Sequence, residues 1–238
     1  GTYLTTPHVN KESATVHIET DIEGAEKGQV LKITTDITDP HGHVVASNVS
    51  EYVAHGQKFA ENILVKKPEL WSPETPVLYT ARTRLFADGK EVDSYDTRFG
   101  IRTIEYRPDE GFFLNGRPTK FRGVCNHHDL GPLGAAVNES ALRHQLELLK
   151  DMGVNAIRTS HNVPAPELVR LCDEMGFMMM VESFDDWGFR PKSLNGYGSI
   201  FNEWAERDMV NMVRQFRNNP SVVMWSIGNE VPSQWGPD

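Results

Sequence analysis

The sequence predicts a two-part fold: an antiparallel β-sandwich over residues 1–106, then a parallel α/β unit over residues 107–238. Three observations carry this prediction. Short alternating apolar runs fill the first part. Strand-like and helix-like runs alternate in the second. The period changes at Arg107-Pro108-Asp109-Glu110-Gly111, a breaker-rich join.

In the first part, Leu31, Ile33 and Ile37 lie at even spacing, as do Tyr79, Ala81, Thr83 and Leu85. Even spacing puts side chains on one face of a strand. Turn signals separate the runs: Glu23-Gly24, Asp39-Pro40-His41-Gly42 and Asp88-Gly89. Strands are predicted over 14–22, 29–38, 43–53, 58–65, 77–87, 90–98 and 101–106. About seven strands in ~100 residues with no helical period argue for an antiparallel sandwich. Asp88-Gly89 between two runs predicts a tight hairpin.

After the join, Phe112–Leu114 and Arg117–Phe121 flank Asn115-Gly116, a strong hairpin signal. This hairpin is expected to cap the bottom of the α/β unit. Lys120–Asn126 reads as a strand, and Glu139–Met152 as a helix with Leu142, Leu146 and Leu149 on one face. Asn155–Ser160 is a strand; Leu168, Leu171, Cys172 and Met175 mark a helix. Met178–Val181 is a strand, Met209, Met212, Val213 and Phe216 mark a third helix, and Val222–Ile227 is a fourth strand. The order βαβαβαβ requires parallel strands joined by crossover helices.

Composition narrows function. Hydrophobic residues make up 39% and charged residues 24%, as in a globular protein. A net charge of −9 disfavours nucleic-acid backbones and suits a neutral or weakly charged substrate. The longest apolar run, Gly176–Val181, is far short of the ~20 residues of a membrane span. No signal peptide is visible at Gly1, which leaves the compartment open. Cys125 and Cys172 fall on a strand and a helix and are expected to be buried free thiols; no CxxC or Cys/His metal spacing exists.

In parallel α/β folds, ligands bind at the carboxyl ends of the strands. All four exits are polar. They read Asn126-His127-His128-Asp129, Arg158-Thr159-Ser160-His161-Asn162, Glu182-Ser183-Phe184-Asp185-Asp186-Trp187 and Ser226-Ile227-Gly228-Asn229-Glu230. Four such clusters on one rim suggest a polar pocket.

Each residue has a plain structural reading beside the functional one. Arg158 is either a core arginine paired with a strand-end carboxylate or a scaffold for the site. His161 is either a satisfied strand-end histidine or a binding group. His127-His128-Asp129 has the composition of a metal site, but neighbours on an extended chain point to opposite sides, which favours sugar-hydroxyl contacts. Asp185 and Asp186 are either a solvated loop or site carboxylates. Trp187, Trp204 and Trp225 are either packing or, for Trp187, a surface on which a sugar ring stacks. Glu230 follows the apolar run Val222-Val223-Met224-Trp225. Partial desolvation there is expected to keep its carboxyl group protonated long enough to act as a general acid.

Trp225-Ser226-Ile227-Gly228-Asn229-Glu230, preceded by Arg217-Asn218-Asn219-Pro220-Ser221, resembles the acid/base signature of glycoside hydrolase family 2. Asn155-Ala156-Ile157-Arg158-Thr159-Ser160-His161 resembles a second signature of that family, and Phe121-Arg122-Gly123-Val124 with His127 its first barrel strand. Leu70-Trp71-Ser72-Pro73-Glu74-Thr75-Pro76 with Leu78-Tyr79, and Arg98-Phe99-Gly100-Ile101-Arg102, resemble its central immunoglobulin-like domain. The resemblance covers nearly the whole chain. It implies an immunoglobulin-like β-sandwich over 1–106 and strands one to four of a TIM (β/α)8 barrel over 107–238.

It also implies a retaining glycosidase. Glu230 would be the general acid/base, Asn229 would hold the sugar 2-hydroxyl, and His127 and His161 would line the sugar subsite. Arg158, Asp185 and Trp187 complete the expected binding set. The nucleophile, a glutamate at the end of strand seven, is expected beyond Asp238, and a sugar-binding domain before Gly1. The chain alone is therefore expected to be inactive. Asn162-Val163-Pro164 stands where many members have Tyr-Pro. Asp186-Trp187-Gly188 stands where a well-known member has a Glu-x-His metal pair, so no cofactor is expected and magnesium beside Glu230 is not favoured.

Terminal β-galactosides of oligo- or polysaccharides are the expected substrates, with β-glucuronides or β-mannosides as alternatives, and a non-catalytic carbohydrate-binding module as the competing class. The intact Asn229-Glu230 pair favours the enzyme. The expected partner is carbohydrate, with neither nucleic acid nor membrane. The open strand edges of a half-barrel predict homo-oligomers through that half. The Phe-Asp-x-Trp form points to a bacterial source; periplasm and cytoplasm both stay open.

Overall fold

The computed structural model describes residues 1–54, 58–189 and 191–231. The chain divides into two compact units, one ending at Thr119 and one beginning at Lys120.

The first unit is a sandwich of two antiparallel sheets. Its strands are β1 (Thr2–Val9), β2 (Ser13–Asp21), β3 (Val30–Thr38), β4 (Val44–Val53), β5 (Lys58–Lys66), β6 (Tyr79–Ala87) and β7 (Lys90–Phe99). One sheet runs β1-β2-β5 and the other β4-β3-β6-β7. Alternation sets the core: along β2, Ala14, Val16 and Ile18 are fully buried, and along β3 so are Ile33 and Ile37. Between the sheets, Thr35 Oγ1 donates to Glu61 Oε1 at 2.5 Å, and Asn48 Nδ2 to Glu61 Oε2 at 2.7 Å.

The sequence reading missed β1. Its Thr-rich run carries Pro7, which cannot donate to a ladder. The strand accommodates it as the edge of its sheet, with a register shift between Thr5 and His8. Conversely, the run expected over 101–106 is not a sandwich strand. β8 (Ile104–Arg107) belongs instead to a small sheet, β10-β9-β8, with β9 (Gly111–Leu114) and β10 (Arg117–Pro118). Asn115 and Gly116, at φ 52° and 73°, form the two-residue turn between β9 and β10. Asn115 Nδ2 donates to the Trp71 carbonyl at 3.0 Å. The hairpin is grouped with the first unit, which ends at Thr119.

The second unit has a four-stranded parallel sheet in the order β11-β12-β13-β14. Its strands are β11 (Gly123–His127), β12 (Ala156–Ser160), β13 (Met178–Glu182) and β14 (Val222–Ser226). Crossover helices α1 (Glu139–Asp151), α2 (Pro166–Met175) and α3 (Phe201–Phe216) join them. Asn138 caps α1 by accepting from Ala141 N at 2.9 Å. Pro166 begins α2, where its missing N–H costs nothing. Leu146, Leu171, Met212 and Phe216 turn inward onto the sheet and join Ile157, Met179 and Val181 in one core. Cys172 is buried in that core, and burial pushes its thiol up. Cys125, expected to be buried, is exposed. No described helix is long and apolar enough to cross a membrane.

Candidate active site

Parallel register lines the four strand ends up on one rim, with His127 opposite Ser160 and Glu182 opposite Ser226. The centre of this rim is Glu182, whose side chain has no exposed surface. Glu182 accepts a fork of bonds from Arg158, Nε to Oε2 at 2.8 Å and Nη2 to Oε1 at 2.9 Å. Ser226 Oγ donates to Oε2 at 2.7 Å, and His161 Nδ1 lies 2.7 Å from Oε1. A carboxylate on Nδ1 requires the proton there, which leaves Nε2 of His161 for another partner. The hydrogen bond to Glu182 holds the Arg158 guanidinium above its ordinary pKa, against the effect of burial.

Arg158 carries this order to Asn229. Its Nη2 donates to Asn229 Oδ1 at 3.2 Å, while Asn229 Nδ2 donates to Asp185 Oδ1 at 2.9 Å. One face of the amide meets a cation and the other an anion, so its orientation is fixed. The backbone is held as well: Asn229 N donates to the Phe184 carbonyl at 2.8 Å, and Trp187 Nε1 donates to the Asn229 carbonyl at 2.9 Å. This close approach requires Gly228. Its φ is 153°, and a Cβ would fall 2.5 Å from the Phe184 carbonyl and 2.8 Å from the Trp187 ring.

Glu230 follows in the left-handed region, at φ 48°, where a glutamate is uncommon. Lys192 Nζ lies 2.9 Å from Glu230 Oε2 and donates to Asp185 Oδ1 at 2.6 Å. The desolvation expected at Glu230 is not found: its side chain is 63% exposed. The chain leaves the apolar strand four residues earlier, at Ser226, so the apolar run does not enclose the carboxyl group.

The other expected residues divide. His127 is exposed and meets His161 edge to face, with ring centres 5.1 Å apart. Asp185 joins the site through Asn229 and Lys192. Burial raises its pKa, but the hydrogen bonds from Lys192 and Asn229 outweigh that and leave it below the usual carboxylate range. Asp186 is not a solvated loop residue. It is buried, and backbone N–H groups of Gly198, Lys192 and Trp187 hold its carboxyl group low. Trp187 is only 7% exposed and packs between Phe184 and Phe201. It offers no open face for sugar stacking; its polar edge supports Asn229. Among the described residues, no group of three or more His, Cys, Asp or Glu is placed to hold a metal ion.

Sequence reasoning gave no role to two members of the site. Glu182 was named only at the head of the third strand exit, where it is the last residue of an apolar strand. Even spacing from Met178 and Met180 was the signal that it shares their face. Lys192 lies in a polar segment with no periodicity, and nothing local marks it.

The model described as "Glycosyl hydrolases family 2, TIM barrel domain" matches residues 106–236, and that described as "Glycosyl hydrolases family 2" matches residues 2–102. The beta-galactosidase BoGH2A of Bacteroides ovatus is 45% identical over 99% of this chain, which spans 28% of that protein. A beta-glycosidase structure from Bacteroides vulgatus superposes with a TM-score of 0.90 at 40% identity, over 100% of this chain and 30% of the other. A beta-glucuronidase structure from Bacteroides uniformis superposes at 0.80 with 31% identity, over 100% of this chain and 29% of the other.

Proposed function

The chain belongs to glycoside hydrolase family 2, and on that premise we propose that it supplies the acid/base half of a retaining β-glycosidase. The observation that carries the reading is Asn229-Glu230 at the mouth of β14, with Asn229 locked between Arg158 and Asp185. In the first step Glu230 would give its proton to the glycosidic oxygen as the leaving group departs. In the second it would take a proton from the attacking water. Asn229 and His161, held from behind by Arg158 and Glu182, would grip sugar hydroxyls, with His127 beside them. Retaining chemistry also needs a nucleophile ~5–5.5 Å from the acid/base carboxyl group, which the family pattern assigns to a later strand. The proposed division of labour is a supporting sandwich over 1–106 and the catalytic half over 107–238.

Terminal β-galactosides are the proposed substrates, supported by the name and 45% identity of the Bacteroides ovatus relative. β-Glucuronides are the second reading, supported by the Bacteroides uniformis structure. An aryl-glycoside panel on the full-length protein decides. Turnover of aryl β-galactoside is expected, and turnover of aryl β-glucuronide alone would overturn the first reading. Self-association through the barrel half is proposed from β11 and β14, the edge strands of the parallel sheet. Light scattering over a range of concentrations tests it, and a strict monomer would sink it.

A further inference from the structure

Resting on the reading of Glu230 as acid/base, we infer that Lys192 is a positioning residue for that group. Its ammonium, shared between Glu230 and Asp185, holds the carboxyl group in place while its proton comes and goes.

The two ends of Lys192 are fixed by adjacent aspartates. Its backbone N donates to Asp186 Oδ1 at 2.5 Å, and its Nζ donates to Asp185 Oδ1 at 2.6 Å. From that anchored position Nζ reaches Glu230 Oε2 at 2.9 Å. Glu230 needs such a hold, because its backbone is left-handed and its side chain is 63% exposed. A cation paired with Glu230 alone would favour only the ionised form and oppose its use as an acid. Sharing changes this. When Glu230 is protonated, Lys192 keeps Asp185 as its counter-charge and can still donate to the Glu230 carbonyl oxygen. When Glu230 has given its proton away, the ammonium is already beside the new charge. Asp185 also accepts from Asn229, so one lysine ties the acid/base to the amide beside it.

Among the described residues, the charged and titratable groups around Glu230 come from three strand exits and the segment after β13. Lys192 and Asp185 come from the segment between β13 and α3, His161 follows β12, and His127 ends β11. The Arg158–Glu182 pair reaches Asn229. Of these, Lys192 is in ion-pair contact with Glu230. Burial opposes its charge, but Asp185 and Glu230 outweigh burial and keep it above its ordinary pKa.

The test is the leaving-group dependence of kcat/KM in the full-length protein, because only poorly activated glycosides need the general acid held in place. Lys192→Met should lose about tenfold on poorly activated aryl glycosides, the scale of one hydrogen bond to a charged group, and much less on activated ones. Lys192→Arg should keep most of the wild-type ratio between the two substrate classes. An unchanged ratio in Lys192→Met would overturn the inference, as would equal losses on both classes in both variants, which mark a merely structural loop. Lys192→Gln serves in the same assay if the Met variant does not fold. Glu230→Gln, assayed in parallel, separates the two ideas. If it fails to act as an acid/base knockout, the reading of Glu230 falls. If it succeeds while the Lys192→Met ratio stays at the wild-type value, only the role of Lys192 falls.

Discussion

Two glutamates stand at the mouths of neighbouring parallel strands, and their surroundings are opposite. Glu182, ending β13, has no exposed side-chain surface and takes hydrogen bonds from Arg158, His161 and Ser226. Glu230, beyond β14, is 63% exposed and, among the described residues, meets one ammonium shared with Asp185. A carboxyl group with every lone pair engaged by fixed donors is an anchor. One with a single shared donor can exchange a proton and reach a substrate. On the proposed reading of Glu230 as acid/base, the same residue type on the same rim separates into scaffold and reagent according to how many donors surround it.

The comparison breaks most sharply at Glu230. In the full-length protein, Glu230→Gln should slow hydrolysis of poorly activated glycosides by about 10²–10⁴-fold, the usual scale of general acid catalysis. Substrates with good leaving groups should lose far less, and azide should restore turnover of the glycosyl-enzyme. Equal losses across leaving groups with no azide rescue would remove Glu230 from the role.

The scaffold glutamate predicts a loss of stability instead. Arg158→Met leaves Glu182 buried without its fork of donors, and breaking a buried pair from one side costs about 3–5 kcal/mol. His161 and Ser226 remain, which favours the lower end. The urea midpoint should fall with the slope unchanged. A midpoint within error of wild type would mean that Glu182 is not the anchor described.

A smaller effect is expected behind Asn229. Trp187→Phe keeps most of the packing with Phe184 and Phe201 but leaves the Asn229 carbonyl without its indole donor. The loss of one hydrogen bond is worth about 1 kcal/mol, or about fivefold in kcat/KM. Unchanged kinetics would show that the indole packs without positioning.

How far the sequence revealed this arrangement depends on whether a residue's partners were local. Asn229-Glu230, Arg158 and the β12 exit stand in contiguous motifs, and the parallel order followed from alternating periods. Asp88-Gly89 and Asn115-Gly116 declared their turns because their chemistry is complete in two residues. β1 was lost because Pro7 speaks against a strand, and only its place at a sheet edge removes the objection. Lys192 was invisible because its partners, Asp185 and Glu230, lie 7 and 38 residues away along the chain. The burial expected at Glu230 was read from Val222–Trp225, whereas the chain turns out of the strand before reaching it. Trp187 was read as a stacking surface from its carboxylate neighbours, while Phe184 and Phe201 close over it.

The mildest prediction concerns the segment that carries Lys192. Asp185 and Asp186 both have folded-state pKa values below the ordinary one, through Lys192 and Asn229 for Asp185 and through backbone N–H groups for Asp186. A depressed carboxylate pKa means that the unfolded or opened state binds protons more readily. The stability these groups contribute is therefore complete above the ordinary carboxylate value of about 4. It fades as pH falls below that value and through the lower folded-state pKa. The expected outcome is local: below about pH 4 the segment between β13 and α3 should loosen before the sheet does. Pepsin works in that range and should nick this segment faster as pH falls. Asp186→Asn turns one acceptor into a donor facing Gly198 N–H, so the segment should be cut faster even at the upper end of the range, with a weaker dependence on pH. Equal acid sensitivity in wild type and Asp186→Asn would show that the backbone bonds to Asp186 do not hold Lys192 in place. The contrast between a fixed Glu182 and a cradled Glu230 would then need another support.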